Sequence, residues 1–500
     1  MSIQMGLCRS YLRREYHRLL GSRRGSIERC SAISGLAAVA AASGNERAAI
    51  SGFRRTLGID PGYSVARDNL KALVAFGDSP PRNRCIAILS LLFSWPSTGG
   101  GTVHTKELAE FLQFVGYEVR HIYAVYPEWG IGQVTEALPY PYRPVVFHGS
   151  DWCEETIQDW FRDAIEEFAP DAVIITDSWN FKPLLAEVVA DIPYFLRLAA
   201  IECLCPLNNV RLLFDEGRVV QCERNQLTDS ASCRSCVHQR GAFSGTLHQA
   251  ERNLAGFGTD DYAERLHAAF RNAEAVLAVN PLIAEIVRPY CKKAVVLPSG
   301  FDSARFPQKE ESPSFQETGR PARLIFAGLV EEAMKGFHVL FTACEQLWQT
   351  RRDFELFVTA DARREWRAPF IRWGGWQSQE QLPDQIRAAD ILVFPTIAQE
   401  ALGRTAVEAM GCGRPVIASR LGGLPFVVED QVTGLLFEPG NAADLASKIN
   451  HLLSQPELRH QMGLAGRREF ERRFTWDVII PQYEPLLGSP NFVEEPLVMP

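Results

Sequence analysis

No apolar run in these 500 residues approaches the ~20 that a membrane-spanning helix needs. The Ala-rich stretch 31–43 is too short for that role. The first 29 residues are rich in arginine (Arg9, Arg13, Arg14, Arg18, Arg23, Arg24) but lack the apolar segment of a secretory leader. Three readings stand for this start: a solvated helix, an organellar transit segment, or a helix lying on a membrane surface. A basic excess is also missing. The chain has 52 Lys and Arg against 60 Asp and Glu, a net charge of −8, which argues against a nucleic-acid partner. Gly-x-Ser-x-Gly, His-Glu-x-x-His and Walker-lysine patterns are absent, so the chain offers no recognisable serine-hydrolase, zinc-protease or P-loop chemistry.

What is present is ordinary in bulk: 46% hydrophobic and 22% charged residues, enough for a soluble globular protein and too long for one core. Two or three domains are expected. Twelve cysteines without an export signal point to a reducing compartment, hence to thiols or metal ligands rather than disulfides. The expected location is the cytoplasm, with at most peripheral contact at the inner membrane surface.

Residues 1–82 read as a separate helical arm. The stretch Glu46–Leu70 resembles a tetratricopeptide repeat, with one helix ending near Leu57, Pro61 opening the next and small Ala66 at a close helix contact. One such repeat does not bury its own face, so the arm is expected to dock on the rest of the chain, on a second copy or on a protein partner. The polar linker Gly77–Arg84 closes it. Beyond it, short apolar runs alternate with helix-like stretches: Cys85–Phe93, a second strand led by Gly116–His121, then Pro170–Asp177, Ile192–Arg197, Ala275–Asn280 and Ala294–Pro298. The alternation restarts at Ala322–Gly328 and continues through Phe354–Thr359, Ile391–Pro395, Val416–Ser419 and Gly434–Phe437. This is the pattern of an α/β chain with two doubly wound sheets.

The densest information lies between Glu400 and Pro425. An apolar strand (Ile391–Pro395) precedes a loop and then Gly403, after which Ala406, Val407, Ala409 and Met410 mark one packed helix face. A strand, a loop and a helix N-terminus form an anion site, because unpaired N–H groups and the helix dipole point the same way. Glu400 lies before that site and Glu408 beyond it; the helical part spans roughly 7.5 Å at ~1.5 Å per residue. Carboxylates at both ends of an anion site suit a ligand with hydroxyls at its extremities and a diphosphate between them: a nucleotide-sugar.

The whole run of Glu400, Gly403, Glu408, Ala409-Met-Gly-Cys-Gly413, Pro415-Val-Ile-Ala-Ser and Gly422-Gly423 resembles the donor site of the GT-B glycosyltransferases of family 4. The resemblance covers roughly residues 83–487. It implies two Rossmann-like domains facing a cleft: an acceptor domain (83–298) with a Cys-rich insertion at 199–240, a donor domain (299–472), and a helix (473–490) crossing back to the first domain. It implies that Glu400 holds the donor sugar and Glu408 the ribose, with Leu402, Gly403, Arg404 and Thr405 at the helix start. Ala327-Gly-Leu-Val-Glu-Glu-Ala-Met-Lys335-Gly336 resembles the loop that carries a basic pair against the diphosphate; Lys335 matches its lysine, while Leu329 stands where an arginine is usual. Arg404 is the candidate to supply the missing charge. Losing one such contact costs about 3 kcal/mol, about a hundredfold in rate. Gly99, Gly100 and Gly101 match the glycine loop of the first half, and Trp373-Gly-Gly-Trp376 lies where the family recognises the base.

The resemblance implies sugar transfer with retention from a nucleotide-diphospho-sugar to a glycan, lipid-linked or other acceptor, without a catalytic cofactor. An Asp-x-Asp metal motif is absent. Where relatives carry a histidine in the first half, Asp177 or Ser178 ends the strand; where they often carry Glu after Gly422-Gly423, this chain has Phe426. Cys205, Cys222, Cys233 and Cys236 form a set that suits a structural tetrahedral zinc, buried free thiols or a redox pair. The competing reading is a catalytically silent GT-B scaffold that binds a partner through its arm. An epimerase or phosphorylase of the same fold is a third, and the residues those chemistries require are not evident.

Overall fold

The protein is described by a computed structural model covering residues 84–489, apart from 98, 216–217, 241–245 and 308–319, together with 63–74 and isolated positions between 30 and 56. The expectations for the N-terminal arm fall mostly outside these residues. Within them, a helix runs Ser64–Val74 and Ala66 is fully buried.

The first half is built on strands β1 (Cys85–Ser90), β2 (Glu118–Val125), β3 (Tyr142–Val146), β4 (Ala172–Ile175) and β5 (Tyr194–Leu198). A hairpin of β6 (Leu212–Asp215) and β7 (Arg218–Gln221) follows, then β8 (Ala275–Ala278) and β9 (Ala294–Val296). All but the hairpin form one parallel sheet in the order β3-β2-β1-β4-β5-β8-β9. Every residue of β1, Cys-Ile-Ala-Ile-Leu-Ser, is buried, as a parallel strand covered on both faces requires. One cover is the helix Glu154–Phe168, which buries Ile157, Phe161, Ala164, Ile165 and Phe168 on one stripe. β3 is an edge strand with three exposed positions, so its apolar signal is weak.

The second half repeats the plan with β10 (Ala322–Phe326), β11 (Phe354–Val358), β12 (Ile371–Trp373), β13 (Ile391–Phe394), β14 (Val416–Ser419) and β15 (Gly434–Phe437). They form a parallel sheet ordered β12-β11-β10-β13-β14-β15. In each sheet the order reverses between a central pair, β1/β4 and β10/β13, and ligands of open α/β sheets bind beyond the C-terminal ends of the strands at that switch. Loops leaving β1, β4, β10 and β13 therefore face the functional space. They carry Gly99–Gly101, Asp177, Lys335 and Glu400.

The C-terminal crossing is made by short helices rather than one: Trp476–Ile479, a 3-10 turn Ile480–Gln482 and Glu484–Leu487. Trp476, Ile479, Tyr483 and Leu487 enter the core of the first half beside Ile86, Ile88, Phe93 and Leu108. Phe301 N–H donates to Phe474 O and Trp476 N–H returns to Phe301 O, at 2.8 and 3.1 Å, tying the two interdomain passages together.

Candidate active site

The loop after β13 is held from several sides. Thr396 Oγ1 and Ile397 N–H both donate to Met334 O at 2.9 Å, fastening it to the loop that carries Lys335. Gly423 N–H donates to Glu400 O at 2.7 Å, and Asn280 of the first half donates its amide to Ala401 O at 2.5 Å. Out of this frame the Glu400 carboxylate meets Lys335 Nζ at 2.6 Å. Burial acts to lower the Lys335 pKa, but the adjoining Glu400 carboxylate and its hydrogen bond outweigh that, so the net direction is upward and the ammonium stays charged.

The helix that follows runs Arg404–Gly411 and starts from Gly403, whose φ of +73° is a left-handed conformation that a side chain would strain. Ala406 and Val407 N–H close back onto Gly403 O, so the N–H groups of Arg404 and Thr405 precede the first intrahelical bond. Thr405 is half-buried in that first turn, whereas Leu402 turns its side chain into the core and leaves only backbone for a ligand.

Arg404 does not point toward Lys335. Its Nη2 lies 3.3 Å from Glu107 Oε2 in the first half, and its guanidinium covers the Phe301 ring at 4.3 Å. The expected substitute for the arginine missing at Leu329 is thus engaged across the interface, because Glu107 projects from the helix Gly100–Phe114 directly opposite. Gly99 caps that helix and Gly100 lies against the Arg404 stem, where a Cβ would come within 2.9 Å of Cδ.

Glu408 is 5% exposed. Arg305 Nη2 stands 3.9 Å from its Oε1, and Arg305 Nη1 lies 3.5 Å from Glu107 Oε1. Burial pushes the Glu408 carboxyl up, against the pull of Arg305 and Arg404 and with a further push from Glu107. Two carboxylates and two guanidiniums thus alternate across the cleft. The 3.9 Å separation is too long for a hydrogen bond, which keeps the Glu408 oxygens available as acceptors. Neither Arg305 nor Glu107 is marked by a motif in the sequence, since the two face each other from different halves of the chain.

Asp177 follows β4 and accepts a hydrogen bond from Thr102 Oγ1 at 2.6 Å. Burial drives its carboxyl up to about 7, with Thr102 and Lys182 pulling down and Glu202 pushing further up. Lys182 and Glu202 form a buried ion pair of 2.8 Å just behind it.

The four cysteines of the insertion gather around the hairpin of β6 and β7. Burial raises the Cys205, Cys233 and Cys236 thiols, Cys233 to about 12, and the neighbouring cysteines add to the effect. Among the described residues no group of three or more His, Cys, Asp or Glu side chains is placed to hold a metal ion. Cys205, Cys222, Cys233 and Cys236 are all free thiols.

Residues 321–455 match the family model described as Glycosyl transferases group 1. The matched stretch is 135 of the 500 residues. It contains Lys335, Glu400 and Glu408 and most of the second half. A D-inositol 3-phosphate glycosyltransferase of Streptomyces bingchenggensis is 41% identical over 100 residues, 20% of this chain and 22% of that protein. A glycogen synthase of Mycobacterium tuberculosis is 26% identical over 253 residues, 47% of this chain and 60% of that one. The chain thus spans less than two thirds of these relatives. Among solved structures, sucrose-phosphate synthase from Thermosynechococcus elongatus superposes with a TM-score of 0.56 at 19% identity, covering 81% of this chain and 98% of that one. Anabaena HepE in complex with UDP gives 0.56 at 17%, covering 81% and 100%. The fold is GT-B, and the matched residues lie in its second half.

Proposed function

We propose that this protein is a retaining, nucleotide-sugar-dependent glycosyltransferase of the hexosyltransferase type, which moves a sugar from a nucleotide-diphospho-sugar to a glycan, lipid or other acceptor. The observation that carries the reading is the Lys335–Glu400 pair, 2.6 Å apart at the switch point of the second sheet and beside the Gly403 helix start. Lys335 and the first-turn N–H groups would meet the charge that develops on a departing nucleoside diphosphate. Glu400 would orient the sugar hydroxyls, and Glu408 would accept hydrogen bonds from the ribose. Complexes of the HepE relative with UDP and with UDP-glucose support a donor of this class.

A thermal-shift screen of UDP-, GDP- and ADP-sugars tests the reading. A donor at one hundred times its Kd stabilises the fold by ~2.7 kcal/mol. Slow donor hydrolysis by the purified protein, followed by NMR of the released anomer, then reports both activity and stereochemistry. Absence of stabilisation across the panel overturns the proposal, and binding without turnover of donor favours a silent scaffold.

A further inference from the structure

The hairpin of β6 and β7 belongs to the first half, yet its last strand and exit are bonded to the donor loop of the second. Arg211 lies immediately before β6 with a φ of +49°, a conformation that costs a non-glycine residue ~1 kcal/mol and orients its side chain inward. All three of its guanidinium nitrogens donate hydrogen bonds. Nη1 donates to Glu223 O at 3.0 Å and to Arg224 O at 3.4 Å, which fixes the head against the hairpin's own exit. Nε and Nη2 both donate to Gln399 Oε1, at 3.2 and 2.7 Å. The Gln399 amide nitrogen donates in turn to Gln221 Oε1 at 3.3 Å and to Cys222 O at 3.5 Å, and the Gln221 amide donates to Ile397 O. Arg211 and Gln399 are each 6% exposed.

This arrangement has a direction. A guanidinium offers only donors, so the Gln399 amide can present only its oxygen to Arg211, and its nitrogen must then face the hairpin. The side chain of Gln399 is thereby locked in one orientation by the first half. The next residue, Glu400, reaches the other way to Lys335. A shift of the hairpin therefore has a short path to the carboxylate, through one peptide unit and a loop already fastened at Met334.

We propose that Arg211, aided by Gln221, is a positioning residue for the donor site: through Gln399 it sets the Glu400 carboxylate when the two halves are closed. The inference rests on Glu400 serving the donor sugar, as proposed above. It also gives the cysteine-flanked insertion a mechanical role, because Cys222 supplies its carbonyl to Gln399 and its N–H to Arg211 O at 2.8 Å.

The test compares the full-length wild type with Arg211→Met, Arg211→Lys and Gln399→Met, using the nucleotide-sugar that gives the largest thermal shift in the panel. Donor hydrolysis yields kcat and KM separately, and circular dichroism reports folding. Arg211→Met is expected to lower kcat by ~10- to 100-fold with KM within ~3-fold, the signature of a misplaced reacting group rather than lost binding. Gln399→Met, which removes the acceptor that the guanidinium holds, is expected to lower kcat to a similar extent with KM again within ~3-fold. A kcat unchanged in Arg211→Met overturns the proposal alone. If Arg211→Met fails to fold, Arg211→Lys and Gln399→Met decide: an unchanged kcat in Gln399→Met also overturns it. A wild type that binds no member of the panel overturns the donor-site reading, and this inference with it.

Discussion

Lys335 Nζ and Glu400 Oε1 lie 2.6 Å apart, although 65 residues separate them in the chain. Their loops leave β10 and β13, the two strands that adjoin at the sheet's reversal point, and topology alone brings them together. The pair is partly buried, with Lys335 28% and Glu400 17% exposed, so neither charge is free to swing into solvent without leaving the other in a poorly hydrated place. An anion entering beside Lys335 would compete with Glu400 for the ammonium and release the carboxylate for sugar hydroxyls.

That exchange predicts different losses from the two partners. Lys335→Ala should reduce kcat/KM for the donor by about a hundredfold, since it removes a cation from the leaving-group oxygens. Glu400→Ala should lower kcat mainly, with nucleoside diphosphate affinity within ~3-fold of wild type. Titration calorimetry with the free nucleoside diphosphate alongside steady-state kinetics separates the two, and equal losses of affinity in both variants would contradict the assignment.

Glu408 predicts the complementary behaviour. Its oxygens face Arg305 at a distance that forms no hydrogen bond, so a ribose would gain charged acceptors that are already desolvated. Glu408→Ala should weaken nucleoside diphosphate binding by ~1.5–3 kcal/mol, the worth of hydrogen bonds to a charged group. The fold should survive, because Glu107 remains to face both Arg305 and Arg404. Calorimetry showing unchanged affinity would remove Glu408 from the site.

Much of this was legible in the sequence, and the exceptions have physical causes. β14 is central and β15, though at the sheet's edge, is buried at all its positions, so both leave an apolar run in the sequence with the limits Val416–Ser419 and Gly434–Phe437. Edge strands β3 and β12 expose part of their surface and left no such run. Glu400, Gly403 and Glu408 announced themselves because strand, loop and helix start are contiguous in the chain. Arg305, Glu107 and Arg211 did not, because each acts across the interface on a residue more than 100 positions away, and no local pattern encodes such a partner.

Behind the first-half strand ends, Lys182 and Glu202 are both essentially inaccessible, paired at 2.8 Å, and Glu202 Oε1 also accepts Ala199 N–H at 2.8 Å. Removing one charge strands the other. Lys182→Met should destabilise the protein by ~3–5 kcal/mol, read from the denaturant midpoint, whereas Lys182→Met/Glu202→Leu should recover most of the loss. A single variant as stable as wild type would show that water reaches the pair.

Asp177 makes the pH dependence specific. Its carboxyl is raised to about 7 by burial, while an unfolded aspartate titrates near ~3.9. Between these values the folded chain holds a proton that the unfolded chain has released, so stability contributed by this group falls as pH rises through that window and levels off above about 7. Below pH ~4 both states are protonated and the group contributes nothing differential. Asp177→Asn keeps an oxygen to accept Thr102 Oγ1 and tolerates the φ of +45° found here, while removing the charge that burial opposes. The variant should match wild type at pH 4 and exceed it by ~1–3 kcal/mol at pH 8, measured as paired chemical denaturations. A difference that does not change between pH 4 and 8 would mean that Asp177 is hydrated and titrates as an ordinary aspartate.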